Sequence, residues 1–325
     1  MKAILVDENS KNLYLGQADM PSISANDLLV KVKATALNRA DLLQKRGLYP
    51  PPKGASPILG LEMSGVIEVV GENVQGWNVG DRVFALLPGG GYAEHVTIPA
   101  SMAMPIPDHI TYEEAAAIPE VFLTAYLNLF WLGQLKKDET VLIHAGASGV
   151  GTAAIQLARE TGARVIVTAG SEKKRELCLS LGAKYAIDYK AGSFSPKIKE
   201  ITEGKGVHLI LDFIGAPYWQ QNIDSLSRDG KLILIGVMGG SKLDGVDLGE
   251  LLFKRIQVIG SALRSQSAEQ KVTLTSAFGD FALPKFAAGA LKPVIDSTWD
   301  WNKVNEAHTH MEQNNNAGKI VLRVH

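Results

Sequence analysis

The stretch VLIHAGASGVGTAAIQLARETGARVIVTAGSEKK, residues 141–174, contains an apolar strand, a glycine-rich loop, a helix and a second apolar strand. This order is typical of a βαβ unit that binds a nucleotide. Glycines let the backbone approach a pyrophosphate closely, and the N–H groups and positive dipole end of the following helix face the phosphates. The stretch therefore predicts a dinucleotide site at the loop.

The loop departs from the G-x-G-x-x-G template in one place. Gly146 and Gly151 occupy the outer positions, Ser148 replaces the middle glycine, and Gly149 partly compensates for it. Val150 lies in the same turn. A glycine pattern alone is a weak signal and also fits a purely structural turn, but the flanking strands and helix favour the binding interpretation.

A second departure indicates which dinucleotide is bound. About 20 residues beyond such a loop, an acid usually holds the ribose of NAD, and here the chain reads Gly170-Ser171-Glu172-Lys173-Lys174. Ser171 adds no negative charge, and Lys174 adds a positive charge that a 2′-phosphate attracts. We therefore predict NADP(H), with Tyr189 either beside the same ribose or capping the edge of the sheet. The alternative is that the lysines begin a helix and point into water.

Composition excludes several classes of function. The 325 residues are 46% hydrophobic and 21% charged, which is ordinary for a globular protein of two domains or one large one. A formal net charge of −1 gives no basic field for a nucleic-acid partner. The single cysteine, Cys178, rules out an internal disulfide or a multi-cysteine metal site. No secretory signal or apolar run of ~20 residues is evident, so we expect a cytoplasmic protein without a membrane partner.

Strands and helices alternate from residue 141 onward, and several strands are nearly continuous apolar runs. This pattern predicts a parallel sheet covered on both faces by helices. The predicted strands are Val141–Ala145, Arg164–Ala169, Lys184–Tyr189, His208–Gly215, Lys231–Gly236 and Ile256–Leu263.

The first part of the chain instead predicts short strands separated by Gly, Pro and Asn turns, as in DLLVKVKATAL and YAEHVTIP. Thr111 is a candidate helix N-cap, and Pro119 should break the helical run that follows it. The tail GKIVLRVH predicts one more strand that returns to this first domain.

With these features together, the chain resembles the zinc-independent quinone oxidoreductases of the medium-chain dehydrogenase/reductase superfamily, and within them the p53-inducible quinone reductase branch. Matching stretches run in family order through nearly the whole chain, and include ALNRADLLQKRGLYPPP, ILGLEMSGVIEVVG, AAAIPEVFLTAY, TAGSEKK, LIGVMGG and GKIVL. The resemblance implies an α/β protein with a GroES-like β-rich catalytic domain at 1–122, completed by 290–325. It also implies a Rossmann doubly wound parallel-sheet domain at 123–289 and a homodimer or homotetramer.

The same resemblance argues against zinc. Zinc-containing relatives place a Cys and a His where this chain has Asn38 and Leu61. Thiolate and imidazole are the ligands that zinc needs, so we predict no metal site.

Site residues follow from the resemblance. Asn38 and Tyr49 are expected as catalytic residues beside the nicotinamide, Asn38 bonding the cofactor's ribose or the acceptor and Tyr49 stacking on a quinone or donating to its oxygen. From the residues alone, Tyr49 is equally a packing residue in a rigid turn. The expected cofactor-binding residues are Thr124, Gly146, Ser148, Gly149, Val150, Gly151, Ser171, Lys174, Tyr189, Met238, Gly239, Leu263 and Arg264.

The expected function is NADPH-dependent reduction of quinones by hydride transfer without a metal, since a quinone is already electrophilic and water can protonate the product. One alternative is reduction of the C=C bond of an alkenal or enone by the same donor. A non-enzymatic alternative is a nucleotide-gated binding protein.

Overall fold

The computed structural model describes all residues from 1 to 325. The chain divides into two compact units. The first unit comprises Met1–Leu123 and Arg264–His325, and the second comprises Thr124–Leu263. No helix is both long enough and apolar enough to span a membrane. The cytoplasmic location expected from the sequence stays a prediction.

Fifteen strands are numbered in chain order. They are β1 Lys2–Val6, β2 Leu13–Gln17, β3 Asp27–Ala36, β4 Glu62–Val70, β5 Arg82–Leu86, β6 His95–Pro99, β7 Met104–Pro105, β8 Thr140–Ile143, β9 Arg164–Ala169, β10 Tyr185–Asp188, β11 Val207–Asp212, β12 Leu226–Leu234, β13 Gln257–Gly260, β14 Ile295–Asp300 and β15 Lys319–Arg323.

Ten α-helices connect them. They are α1 Arg39–Lys45, α2 Tyr112–Ala116, α3 Pro119–Tyr126, α4 Gly149–Glu160, α5 Glu172–Ser180, α6 Ser195–Ile201, α7 Trp219–Ser225, α8 Leu248–Lys254, α9 Ala268–Ala287 and α10 Val304–Glu312. A π-helical turn at Leu127–Leu132 continues α3, and short 3₁₀ turns include Ala216–Tyr218 and Leu263–Ser265.

The second unit is built on a six-stranded sheet in the order β10-β9-β8-β11-β12-β13, and every pairing in it is parallel. Numbered from β8, this is the order 3-2-1-4-5-6 of a Rossmann sheet, which reverses direction beside its first strand. All six predicted strands are confirmed. The largest shift is in β12, which begins at Leu226 instead of Lys231.

The first unit carries a seven-stranded sheet in which β14, β15, β3, β4, β5 and β7 are neighbours in that order and β6 also pairs with β3. The predicted C-terminal strand is β15, which runs antiparallel to β3. Side chains from both ends of the chain share one apolar core, including Leu28, Met63, Trp301 and Met311.

The helical region near residue 111 folds as predicted. Thr111 caps α2, with Glu114 donating its N–H to the Thr111 hydroxyl in a capping box. Pro119 ends that helical run and is the first residue of α3, where its missing N–H has no intrahelical partner to lose.

One expected boundary differs from this division. The sequence placed residues up to 289 in the nucleotide domain, whereas Arg264–His325 belongs to the first unit. The reason is aromatic packing by α9. Phe286 lies edge-on to Phe122 with ring centroids 5.0 Å apart, and Phe278 lies 6.4 Å from Phe122.

Candidate active site

The glycine loop lies at the carboxyl end of β8, where the sheet order reverses. Ser148 is the N-cap of α4, and its hydroxyl accepts a hydrogen bond of 3.1 Å from the N–H of Gly151. A Cβ on Gly151 would lie 2.4 Å from the carbonyl oxygen of Ala145, so the tight turn excludes any larger residue. The N–H groups of Gly149 and Val150, the first two of α4, have no acceptors within the helix and are free to meet an anion.

The second corner of this edge follows β9 and β10. Ser171 is the N-cap of α5, and its hydroxyl accepts from the N–H of Lys174 at 3.3 Å. A Cβ on Gly170 would lie 2.7 Å from the Tyr189 hydroxyl, so Tyr189 lies directly against the turn that carries Ser171. The nearby carboxylate of Asp188 is paired with Arg175 at 2.7 Å.

The lysines do begin a helix, as the alternative interpretation held, because both lie in the first turn of α5. Lys173 is exposed and Lys174 is half-buried. This placement does not exclude phosphate binding, since the helix N-terminus and both lysines stand at the same end of α5.

Met238 and Gly239 follow β12 on the other side of the loop. Their N–H groups donate to the carbonyls of Phe213 at 3.1 Å and Ile214 at 2.8 Å, which fixes the turn beside the end of β11. Met238 is 55% exposed. The other predicted contacts of this unit, Thr124 and Leu263, are buried.

These groups form a row along the carboxyl edge of five adjacent strands, from Tyr189 after β10 to Met238 after β12. At about 4.8 Å per strand the row is roughly 19 Å long. A row of this length, centred on the glycine loop at the switch point, fits an extended dinucleotide.

A closed polar network lies under the loop. The ring nitrogens of buried His144 bond Thr168 Oγ1 at 3.0 Å and Asn222 Oδ1 at 2.8 Å. Asn222 donates in turn to Asp212 at 3.1 Å, and Asp212 also accepts from the N–H of Gly215. Burial lowers the pKa of His144 to about 4, against the opposing bond to Asn222, so the ring is neutral at pH 7.

In the first unit, Asn38 is held by its neighbours. Its Nδ2 donates to Glu62 Oε1 at 2.8 Å and to the Ala36 carbonyl at 3.3 Å, and its Oδ1 accepts from Lys319 Nζ at 2.8 Å. Both amide hydrogens are thus in use, and only the oxygen has a lone pair left. Asn38 can therefore accept a bond from a ligand but has no donor to offer.

Tyr49 and Arg264 lie together in the same unit. The Arg264 guanidinium lies 5.0 Å from the centre of the Tyr49 ring. Its Nη2 donates to Gln44 Oε1 at 2.7 Å and to the Pro88 carbonyl at 2.8 Å, while its buried Nε has no partner. Burial, then the charge of Glu120, raises the pKa of Tyr49, and Arg264 opposes the shift.

A buried charged cluster, Asp41, Glu62, Glu120 and Lys319, was missed from the sequence. Lys319 Nζ lies 2.7 Å from Glu62 Oε1, and Glu62 Oε2 accepts the N–H of Glu120 at 2.9 Å. Asp41 accepts the N–H of Asn38 at 2.7 Å. The available signal was a charged residue within each of the apolar runs LEM, PEVFL and GKIVL, because charges inside buried segments are rare unless paired.

The donors near Asn38 do not fit zinc. No three side chains of His, Cys, Asp or Glu lie together in a group able to hold a metal ion. Both carboxylates that bond Asn38 are already occupied. Glu62 binds the Lys319 ammonium and two N–H donors, and Asp41 accepts the N–H groups of Asn38 and Gly60.

Family models match both units. A model described as an alcohol dehydrogenase GroES-like domain matches residues 24–108, and one described as zinc-binding dehydrogenase matches residues 149–277. Human quinone oxidoreductase is 30% identical over 312 residues, covering 93% of this chain and 91% of that protein. The chain belongs to the quinone oxidoreductase-like family of the medium-chain dehydrogenase/reductase superfamily. Its place in the p53-inducible branch stays a prediction.

Similar proteins and solved structures include some that are not named quinone oxidoreductases. The zebrafish (Danio rerio) synaptic vesicle membrane protein VAT-1 homolog is 31% identical over 315 residues, which cover 93% of this chain and 65% of that longer protein. The Escherichia coli quinone oxidoreductase solved with NADPH has a TM-score of 0.87 at 30% identity over 100% of both chains. A structure of CurK enoyl reductase has a TM-score of 0.87 at 28% identity, covering 99% of this chain and 98% of its own.

The structure thus assembles the predicted coenzyme residues Gly146, Ser148, Gly151, Ser171, Lys174, Tyr189, Met238 and Gly239 along one sheet edge, and it separately pairs Tyr49 with Arg264. The individual role of each predicted residue stays a prediction.

Proposed function

We propose that this family member is an NADPH-dependent reductase whose acceptor is a quinone. The observation that carries the proposal is the Ser171 turn on a sheet of Rossmann order, where the place of the ribose-binding acid is taken by a helix N-terminus with a hydroxyl and two lysines. The oxidoreductase class is that of the family, and the E. coli relative named above was solved with NADPH.

The coenzyme assignment rests on charge. A 2′-phosphate on the adenosine ribose would meet the Ser171 hydroxyl, the first N–H groups of α5 and the Lys174 side chain, all of which favour an anion. Two carboxylates lie near this turn. Asp188 is neutralised by Arg175 and so repels the phosphate weakly, and Glu172, in the first turn of α5, is exposed to solvent. Tyr189, against Gly170, would lie beside the same ribose.

Two features of the first unit support a quinone as the acceptor: its donors do not suit zinc, and it pairs Tyr49 with Arg264. Its donors do not fit zinc, so no metal is proposed to polarise an unactivated carbonyl. NADPH supplies a hydride, and a quinone accepts it without prior activation. Tyr49 offers a ring to stack on the quinone and a hydroxyl to bond its oxygen, and Arg264 holds the Tyr49 ring from its other side.

The test is an acceptor screen with NADPH and NADH in parallel. We expect steady NADPH oxidation with added quinone and a clear preference over NADH. Lys174→Glu should weaken NADPH binding on the order of 10-fold or more while leaving NADH binding nearly unchanged, because only NADPH carries the 2′-phosphate.

Lys184→Glu is the matched control. Lys184 is exposed and precedes β10, so it lies at the amino ends of the strands, whereas Ser171 lies at their carboxyl ends. Equal losses for both coenzymes in Lys174→Glu would contradict the phosphate assignment. Failure of the wild-type chain to oxidise NADPH with any acceptor would favour a nucleotide-gated binding protein.

A second candidate function is reduction of an alkenal or enone C=C bond. The similarity to CurK enoyl reductase favours it, since that structure matches nearly the whole chain as well as the quinone oxidoreductase does. Product analysis with a quinone and with an alkenal separates the two: quinol formation supports the first, and saturation of the C=C bond supports the second.

The proposed assembly is a homodimer or homotetramer. Strand β13 has a neighbour on one side only. Exposed apolar side chains lie in this strand, at Val258, and shortly before it, at Leu248, Leu252 and Phe253. An unpaired edge with apolar neighbours is a template for pairing with a second copy. Light scattering at micromolar concentration should give at least twice the mass of one chain, and Phe253→Lys should shift the protein toward the monomer. A monomeric wild type would contradict this.

A further inference from the structure

Glu120 differs from every other carboxyl group of the buried charged cluster. The backbone N–H of Glu120 donates a hydrogen bond to Glu62 Oε2, but the Glu120 carboxyl group makes no hydrogen bond within the protein. Glu62 has both oxygens occupied and Asp41 accepts the N–H groups of Asn38 and Gly60, and both of these side chains are fully buried. Glu120 is half-buried, so it is the one acid of the cluster that an outside molecule can reach.

Charged and titratable groups face Glu120 from each element packed around it. The acids are Glu62 on β4 and Asp41 on α1, the cations are Lys319 on β15, Arg264 in the turn at 263–265 and Lys271 on α9, and Tyr49 lies in the loop after α1. Burial raises the pKa of Glu120 to about 8. Glu62 and Asp41 add to the shift, and Lys319 and Arg264 oppose it. Glu120 therefore carries a proton at pH 7.

The proposed reaction needs such a proton. A hydride brings two electrons and one hydrogen to the quinone, and the product of that step is a quinol anion. The anion needs one more proton to become a neutral quinol. Reduction of a quinone by NADPH thus consumes one proton for each hydride.

We propose that Glu120 is the general acid that gives this proton to the quinol anion. The O–H bond of its carboxyl breaks as the O–H bond of the quinol forms, and the carboxylate takes a new proton from water to restore the acid. The inference rests on the proposed function, because it places the acceptor at Tyr49, the residue that Glu120 and Arg264 both influence electrostatically. It replaces direct protonation by water with protonation by a named side chain.

Two other buried groups are less suitable donors. Tyr92 bonds Asp41 at 3.3 Å and His308 at 3.2 Å, and all three side chains are closed off from solvent. Burial raises the pKa of Tyr92 well above its ordinary value and lowers that of His308 to about 3, so neither group exchanges a proton near pH 7.

The experiment compares wild type with Glu120→Gln, which keeps the side-chain shape, and with Glu72→Gln, a matched control at an exposed acid of the same unit. With saturating NADPH and quinone at pH 7, kcat of Glu120→Gln should fall on the order of 100-fold, the usual contribution of a general acid. The kcat of wild type and of Glu72→Gln should decline as pH rises through about 8, and that decline should vanish in Glu120→Gln. Far-UV circular dichroism verifies the fold of each variant.

A second readout needs neither coenzyme nor acceptor. Infrared difference spectra should show a protonated carboxyl band that disappears as pH rises through about 8 in wild type and is missing in Glu120→Gln. If Glu120→Gln reduces quinone at the wild-type rate with the wild-type pH profile, the proton-donor role is overturned while the proposed function stands. If wild type reduces no quinone although the band titrates, the proposed function fails and this role fails with it.

Discussion

Each unit holds one buried polar network, and the two are built differently. Under the glycine loop, His144 bonds Thr168 and Asn222, and Asn222 bonds Asp212, so every member has its partners inside the protein. In the first unit, Glu62 and Lys319 form an ion pair with further acids around it, and the carboxyl of Glu120 has no hydrogen-bond partner.

The difference indicates two roles. The network of His144 is closed and His144 stays neutral, so it holds β8, β9 and α7 in position without exchanging protons. The charged cluster contains more acids than its one lysine neutralises, and burial keeps a proton on Glu120 at pH 7. The first network supports the edge proposed to bind the coenzyme, whereas the second contains the proposed proton donor.

The largest effect should come from breaking the ion pair. Lys319→Met leaves Glu62 buried without its counter-ion, and removing one partner of a buried pair destabilises proteins by about 3–5 kcal/mol. Urea titration measures the free energy of unfolding of each variant. The double variant Lys319→Met/Glu62→Gln should recover part of the loss, because the uncompensated charge is gone. If the free energy of unfolding of Lys319→Met were within about 1 kcal/mol of the wild-type value, a central role for the ion pair would be contradicted.

A smaller effect should follow from opening the neutral network. Asn222→Ala removes the partner of both His144 and Asp212 and should destabilise the chain by about 1–3 kcal/mol. Gln220→Ala, an exposed position of the same helix, is the control and should change stability by no more than about 0.5 kcal/mol. Equal losses in the two variants would contradict a stabilising role for the network.

A pH-dependent change in stability should also distinguish the two networks. The ordinary pKa of Glu120 is 4.5 and its folded value is about 8, so between these values the folded chain holds a proton that the unfolded chain has lost. Stability must then fall as pH rises from 4.5 to 8. Glu120→Gln lacks this loss and should therefore be more stable than wild type at pH 9, with no difference in the free energy of unfolding near pH 4. A gap that does not change with pH would contradict the shifted acid.

Much of the second unit could be predicted from the sequence because its signals are local. An apolar strand, a glycine turn and a capped helix lie within a few residues of each other, and the parallel order follows from alternating strands and helices. The expected boundary at residue 289 differs from the division of the structure into compact units. In the structure Phe278 and Phe286 of α9 contact Phe122, and no local pattern reveals these contacts.

By itself, the sequence determined the strand and helix order of the Rossmann unit and predicted a phosphate at the turn of Ser171. Through the resemblance, it also placed Asn38 and Leu61 where zinc-containing relatives have their ligands. Only the tertiary structure brought Lys319 to Asn38, 281 residues away, and surrounded Glu120 with other acids. Propensity, capping and glycine turns act over one or two turns of chain. The charge environment of a side chain depends instead on distance and burial in space, which are set only when distant strands meet.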